Sequence, residues 1–122
     1  MITLDSGSAT PPFEQVRGQI AAQIATGVLP AGTRLPPVRR LADDLGLAAN
    51  TVARAYRDLE ASGLVETRGR GGTIVTAAGN QTRERLQSAA QSYATLAHDL
   101  AVDPEEALQL VRTALNPSTV RP

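Results

Sequence analysis

Only three residues, Leu47-Ala48-Ala49, separate two apolar helical patterns in the middle of this chain. In the first, Val38, Leu41, Ala42 and Leu45 fall on one face, and Gly46 stops it. In the second, running to about Ser62, the inward positions are Val52, Ala55, Tyr56 and Leu59, and Gly63 ends it. Two helices joined by a tight turn of this kind read as a helix-turn-helix. The patterns on either side have to complete its core.

Upstream, Thr10-Pro11-Pro12 reads as a helix start with a capping hydroxyl and proline in the first turn. Phe13, Val16, Ile20 and Ile24 then form a single stripe, and Gly27 is the expected stop. Residues 1–10 are polar and are expected to be loosely ordered. Downstream of Gly63 the period switches from helical to alternating. Leu64–Thr67 and Thr73–Thr76 read as two short strands around Arg68-Gly69-Arg70-Gly71-Gly72, a β-hairpin. A lone hairpin is marginal in water, so this one must lean on the helices. Ala77–Asn80 reads as a linker.

Helical periodicity returns at Leu86, Ala89/Ala90, Tyr93, Leu96/Ala97 and Leu100, a seam of coiled-coil spacing. Asp103-Pro104-Glu105-Glu106 starts a last helix with an acidic cap, proline at the first position and acids in the first turn. Leu108, Val111 and Leu115 line its inner face before Asn116-Pro117. The expected fold is mainly α with a small β-hairpin: a winged helix-turn-helix over residues 1–78, then a two-helix tail over 79–122. Two short helices hold too little apolar surface to stand alone, and a second copy supplies it by symmetry. Leu86, Ala90, Tyr93, Leu96, Ala97, Leu100, Leu108 and Val111 are the expected dimer contacts.

Composition narrows the chemistry. There is no cysteine, so disulfides, thiolate nucleophiles and cysteine-ligated metals are excluded. His98 is the one histidine and reads as a surface residue. No metal, cofactor or enzymatic activity is expected. No apolar run reaches the roughly 20 residues of a membrane helix, and no secretory pattern opens the chain, so a cytoplasmic protein is expected. A nucleotide-binding phosphate loop is not matched either: Gly69–Thr73 lacks its lysine and sits between strands. Glu105 and Glu106 are explained by the helix dipole.

Net charge is zero, yet all twelve basic residues are arginine, and residues 34–75 hold seven of them against five acids. Arginine's planar fork suits phosphates and guanine edges. Removing the core positions of the third helix leaves Asn50, Thr51, Ala53, Arg54 and Arg57 outward. A helix with such a face fits the DNA major groove, where asparagine pairs with adenine and arginine with guanine. The glycines of the hairpin tip allow close approach to a sugar-phosphate wall or a minor groove.

Gly32–Ala42, Asn50–Tyr56, Leu59–Val65 and Arg70–Val75, with Pro12–Val16 before them, resemble the GntR family of bacterial transcription factors over about residues 11–76. The short tail is similar to the YtrA-type subgroup, in which two small helices dimerise in place of a ligand-binding domain. The resemblance implies that Arg39 reaches DNA from the second helix and that Arg34 contacts phosphate. It implies that Asn50, Thr51 and Arg54 belong to the recognition helix, and that Arg70, Gly71 and Gly72 form the wing tip. It further implies a homodimeric repressor on a palindromic operator, with half-site centres about 34 Å apart. Any small-molecule effector would have to bind at the dimer interface, since the tail is too small to enclose one. Two departures stand out: Ala48 and Ala49 replace a common serine and arginine, and Pro37 replaces a frequent serine. Together they point to weaker binding or an altered operator, and the alanines at 48 and 49 are the best support for the alternative, a winged-helix protein-interaction module without DNA binding.

Overall fold

The computed structural model describes residues 2–116, the side chains of 79 and 80 excepted. Pro117, expected to end the last helix, lies outside the described residues. The chain divides into two compact units, residues 1–82 and 83–122.

The first unit is built on three helices, α1 (Pro12–Ala25), α2 (Val38–Leu45) and α3 (Ala49–Ala61). The α1 stripe is realised at three of its four positions: Val16, Ile20 and Ile24 are completely buried and meet Val52, Ala55 and Leu59 of α3, whereas Phe13 is half-buried and outside the core. Each such aliphatic side chain contributes about 1.5–3 kcal/mol by leaving water. α2 adds Leu41 and Ala42 and stops at Gly46, whose left-handed backbone (φ +68) returns its amide to the carbonyls of Ala42 and Asp43. The N-cap of α1 is Pro11, not Thr10, and no side chain caps it. Thr10 instead offers its carbonyl to Gln15 Nε2 at 2.8 Å.

That bond belongs to an arrangement the sequence pattern does not suggest. Residues 2–5 are not loose: Ile2 and Leu4 pack against the core. Between them, Thr3 exchanges two hydrogen bonds with the side-chain amide of Gln19 (2.9 and 2.6 Å), and Asp5 exchanges two with that of Gln15 (2.8 and 3.0 Å). Two glutamines one helical turn apart thus act as rungs for an extended segment, each amide standing in for a peptide group.

After α3, Gly63 (φ +78) turns the chain into β1 (Val65–Thr67), which pairs antiparallel with β2 (Thr73–Val75) in the register Val65↔Val75, Glu66↔Ile74, Thr67↔Thr73. The strands are three residues each, shorter than expected by one at Leu64 and at Thr76. The hairpin does not stand alone. Residues 33–35 flank the other edge of β2 through an Arg34↔Ile74 bridge, with Leu35 N–H donating to Thr73 O (2.8 Å) and Val75 N–H to Thr33 O (2.8 Å). Val65, Val75 and Leu35 turn into the helical core, which supplies the support a two-stranded ribbon lacks. Ala77–Gln81, which takes in the expected linker Ala77–Asn80, forms a 3-10 turn that packs against α1.

The second unit consists of α4 (Thr82–Asp99) and α5 (Pro104–Leu115). Asp103 caps α5 by accepting from Glu105 N–H at 3.1 Å, with Pro104 at the first position, as its sequence announces. The turn between the helices places Ala101 at φ +58. Tyr93 O–H donates to Ala107 O at 2.7 Å, tying α4 to α5. Among the described residues of this unit Ala107 alone is buried.

Candidate nucleic-acid interface

α3 presents Asn50, Arg54 and Arg57 to solvent, with Thr51 half-buried beside them. Its N-cap is Ala48, extended (φ −67, ψ 145) but without an acceptor side chain, so no side chain satisfies its first-turn amides. Those amides carry the positive end of the helix dipole.

The helix is locked from behind. Tyr56 is buried, and its hydroxyl donates to Pro36 O at 2.7 Å, joining α3 to the segment that leads into α2. Burial pushes the Tyr56 hydroxyl from its ordinary 10.0 up to about 12. At the far end, Glu60 accepts from Thr67 N–H (3.2 Å) and its hydroxyl (3.4 Å), fastening α3 to β1.

The hairpin tip is shaped by backbone alone. Arg68 N–H donates to Gly72 O (2.8 Å), Gly71 N–H to Arg68 O (2.9 Å) and Gly72 N–H to Gly69 O (3.1 Å), closing a 3-10 turn over Gly69–Gly71. Gly72 adopts φ +76, ψ −153, a conformation essentially reserved to glycine. The space beside it is taken by Arg34: a Cβ on Gly72 would meet Arg34 Nε at 3.0 Å and Nη2 at 3.4 Å. Arg34 and the wing glycines, far apart in the chain, are therefore neighbours in the fold, because the bridge to Ile74 lays the Arg34 segment along β2.

Arg39 is exposed on α2, and Arg70 at the tip. Among the described residues the side chains of Arg34, Arg39, Arg40, Arg57 and Arg70 make no hydrogen bond or ion pair, whereas that of Arg68 is held by Glu66 and that of Arg17 by Glu14. Arg40 is not among the site residues expected from the sequence. It shares with Arg34 an open depression of about 650 Å³ bordered by Ile2, Pro36, Pro37 and Asp44. Its position one residue after Arg39 is the signal that could have found it. Arg54 is not free in the same sense: its guanidinium carbon lies 3.6 Å from the centre of the Phe13 ring. Nearby, Glu14 is held below the usual carboxylate range, chiefly by its hydrogen bond to Arg17, with further help from the charges of Arg17 and Arg54.

The tail residues occupy two faces rather than one seam. Ala90, Tyr93, Ala97, Leu108 and Val111 line a groove of about 840 Å³ between α4 and α5, whose border also includes His98. Leu86, Leu96 and Leu100 lie outside it, each more than half exposed, as do Leu110 and Leu115. The described residues contain no cluster of metal-ligating side chains and no helix long and apolar enough to cross a membrane.

A short helix and a second helix at a tight turn, buttressed by a first helix and followed by a glycine-tipped hairpin, make a winged helix-turn-helix. The sequence pattern of the bacterial regulatory proteins of the gntR family matches residues 12–75, and the chain belongs to that family of transcriptional regulators. The chain is 44% identical over 108 residues to the HTH-type transcriptional regulator Rv1152 of Mycobacterium tuberculosis, covering 88% of each. It is similar in structure to YtrA of Sulfolobus acidocaldarius, a GntR-family transcription factor, with a TM-score of 0.61, 34% identity and coverage of 79% of this chain and 97% of that one. The AraR DBD in complex with operator ORE1 matches with a TM-score of 0.53 and 28% identity, covering 62% of this chain and 93% of that one.

Proposed function

We propose that this chain is a cytoplasmic, homodimeric repressor that binds a palindromic operator. Residues 1–78 read the DNA, and residues 79–122 hold two copies together. The observation that carries the reading is the set of arginines without ion-pair partners, Arg34, Arg39, Arg57 and Arg70, which lie before α2, on α2, on α3 and at the hairpin tip. With Arg40 they make five guanidiniums without an ion-pair partner among the described residues, which a polyanion would satisfy. The similarity to a DBD caught on its operator supports the same partner.

In this reading α3 enters the major groove. Asn50, Thr51 and Arg54 meet base edges, with Arg39 contributing from α2. Arg34 fixes the frame on a phosphate, and Arg70 with Gly71 and Gly72 follows the adjoining minor groove. Self-association is supported by the tail, whose leucines remain largely in water within one copy. Covering what remains exposed of each stabilises a dimer by about 1–2 kcal/mol. Repression then follows from occupancy of a promoter.

The test is fluorescence anisotropy on DNA from upstream of the gene, against a scrambled duplex, over a salt series. A preference for the upstream palindrome with a steep salt dependence is expected. No affinity at low salt would instead favour a protein-interaction module, the role that the alanines at 48 and 49 suggest.

A further inference from the structure

Arg54 is the one arginine of the outward α3 face with an aromatic partner. Its guanidinium lies over Phe13, with Cζ 3.6 Å from the ring centre. Phe13 is half-buried in the first turn of α1, a helix anchored by the fully buried Val16, Ile20 and Ile24. The platform therefore sits on a helix anchored in the core, while the side chain it carries projects from the helix proposed to read DNA.

A ring covers one face of a guanidinium and leaves its edge, where all five N–H donors point, uncovered. Among the described residues no hydrogen bond or ion pair occupies that edge of Arg54. The stack consequently holds the plane without consuming the donors. An unstacked arginine would have to give up the freedom of a long side chain on meeting a base; a stacked one has already done so.

We infer that Phe13 is a positioning residue for operator readout: α1, which contributes no base contact, fixes the plane of Arg54 so that its donor edge discriminates one sequence from another. This rests on the proposal that the chain binds DNA through α3. The neighbouring Glu14 is turned to Arg17 and reinforces the same orientation only through its charge.

The experiment compares wild type, Phe13→Leu, Phe13→Tyr, Arg54→Ala and the Phe13→Leu/Arg54→Ala pair, each as the full chain. The readouts are affinity for operator and for scrambled duplex, with thermal unfolding to monitor the fold. Phe13→Leu, which keeps apolar bulk, is expected to weaken operator binding by about two- to five-fold, the range of one exposed cation–π contact. Scrambled binding should not move. Phe13→Tyr should restore the preference, and Phe13→Leu should add nothing once Arg54 is alanine. In the free protein, the Arg54 Nε–H resonance should lose its ring-current shift in Phe13→Leu and keep it in Phe13→Tyr. Equal losses on both duplexes, or an undiminished Phe13→Leu effect in the Arg54→Ala background, would overturn the inference while leaving DNA binding intact. A wild type without operator preference would overturn both.

Discussion

Gly72→Ala isolates the link between the wing and the residue proposed to clamp phosphate. The substitution acts twice. First, φ +76 with ψ −153 lies in a region where an L side chain costs about 1–3 kcal/mol. For a domain of this size each kcal/mol lowers the melting temperature by roughly 4–8 °C. Second, the new Cβ would sit 3.0 Å from Arg34 Nε. The guanidinium is the far end of a flexible side chain, so it moves aside at small energetic cost but leaves its place beside the tip. Calorimetry should therefore show a fall of roughly 5–20 °C, and the salt slope of DNA binding should flatten by about one. Gly71→Ala is the internal control: Gly71 has no positive φ, and its Cβ would make a tight but tolerable 3.4 Å contact with Arg68 Cβ. It should unfold within about 0.5 kcal/mol of wild type. Adding Arg34→Ala to Gly72→Ala removes the steric clash but not the backbone strain, so stability should not recover. Full recovery, or a Gly72→Ala variant as stable as wild type, would refute the reasoning.

Other consequences are open to direct measurement. Because burial raises the Tyr56 hydroxyl to about 12, the native state holds its proton longer than the unfolded chain. The resulting stability, about 2–3 kcal/mol, is present below pH ~10 and is lost as pH rises through ~12. Urea unfolding of wild type and Tyr56→Phe across that window should show the tyrosine-linked slope in wild type only. Ala48→Ser, at an extended N-cap lacking an acceptor, should stabilise α3 by about 1 kcal/mol in the same assay. Arg40→Ala should weaken binding to all sequences alike and reduce the salt slope by about one, read by anisotropy. Leu96→Asp should yield monomers in sedimentation velocity; an unchanged dimer would place self-association elsewhere.

Much of the first unit is legible in the sequence because local chemistry and tertiary packing agree. Glycines at 46 and 63 stop helices where their left-handed backbone is needed, and the stripes of α1, α2 and α3, Phe13 excepted, form the core or pack against it. What escapes such a reading is non-local or lacks a period. A single bridge at Arg34 leaves no alternation to detect, so the third edge of the wing is invisible in the pattern. The fastening of residues 2–5 depends on side-chain amides of Gln15 and Gln19, which no hydrophobic pattern encodes. Thr10 has the chemistry of a cap, but Gln15 claims its carbonyl and Pro11 takes the cap position. In the tail, the even spacing of Ala90, Tyr93, Leu96 and Leu100 conceals a split: Ala90, Tyr93 and Ala97 border the groove against α5, while the leucines lie outside it. For the candidate site, outward positions on α3 follow from subtraction of the core. The stacking of Arg54 on Phe13 requires knowing where α1 crosses α3.

The tip of the wing is tied by main-chain bonds among Arg68, Gly69, Gly71 and Gly72, and no side chain takes part in the knot. Shape and charge are consequently separate inheritances there. Arg70 can be exchanged for any residue that tolerates a 3-10 turn without unravelling the loop. Under the proposed reading, a lineage of such regulators can retune its grip on the duplex one cation at a time while the finger itself stays the same.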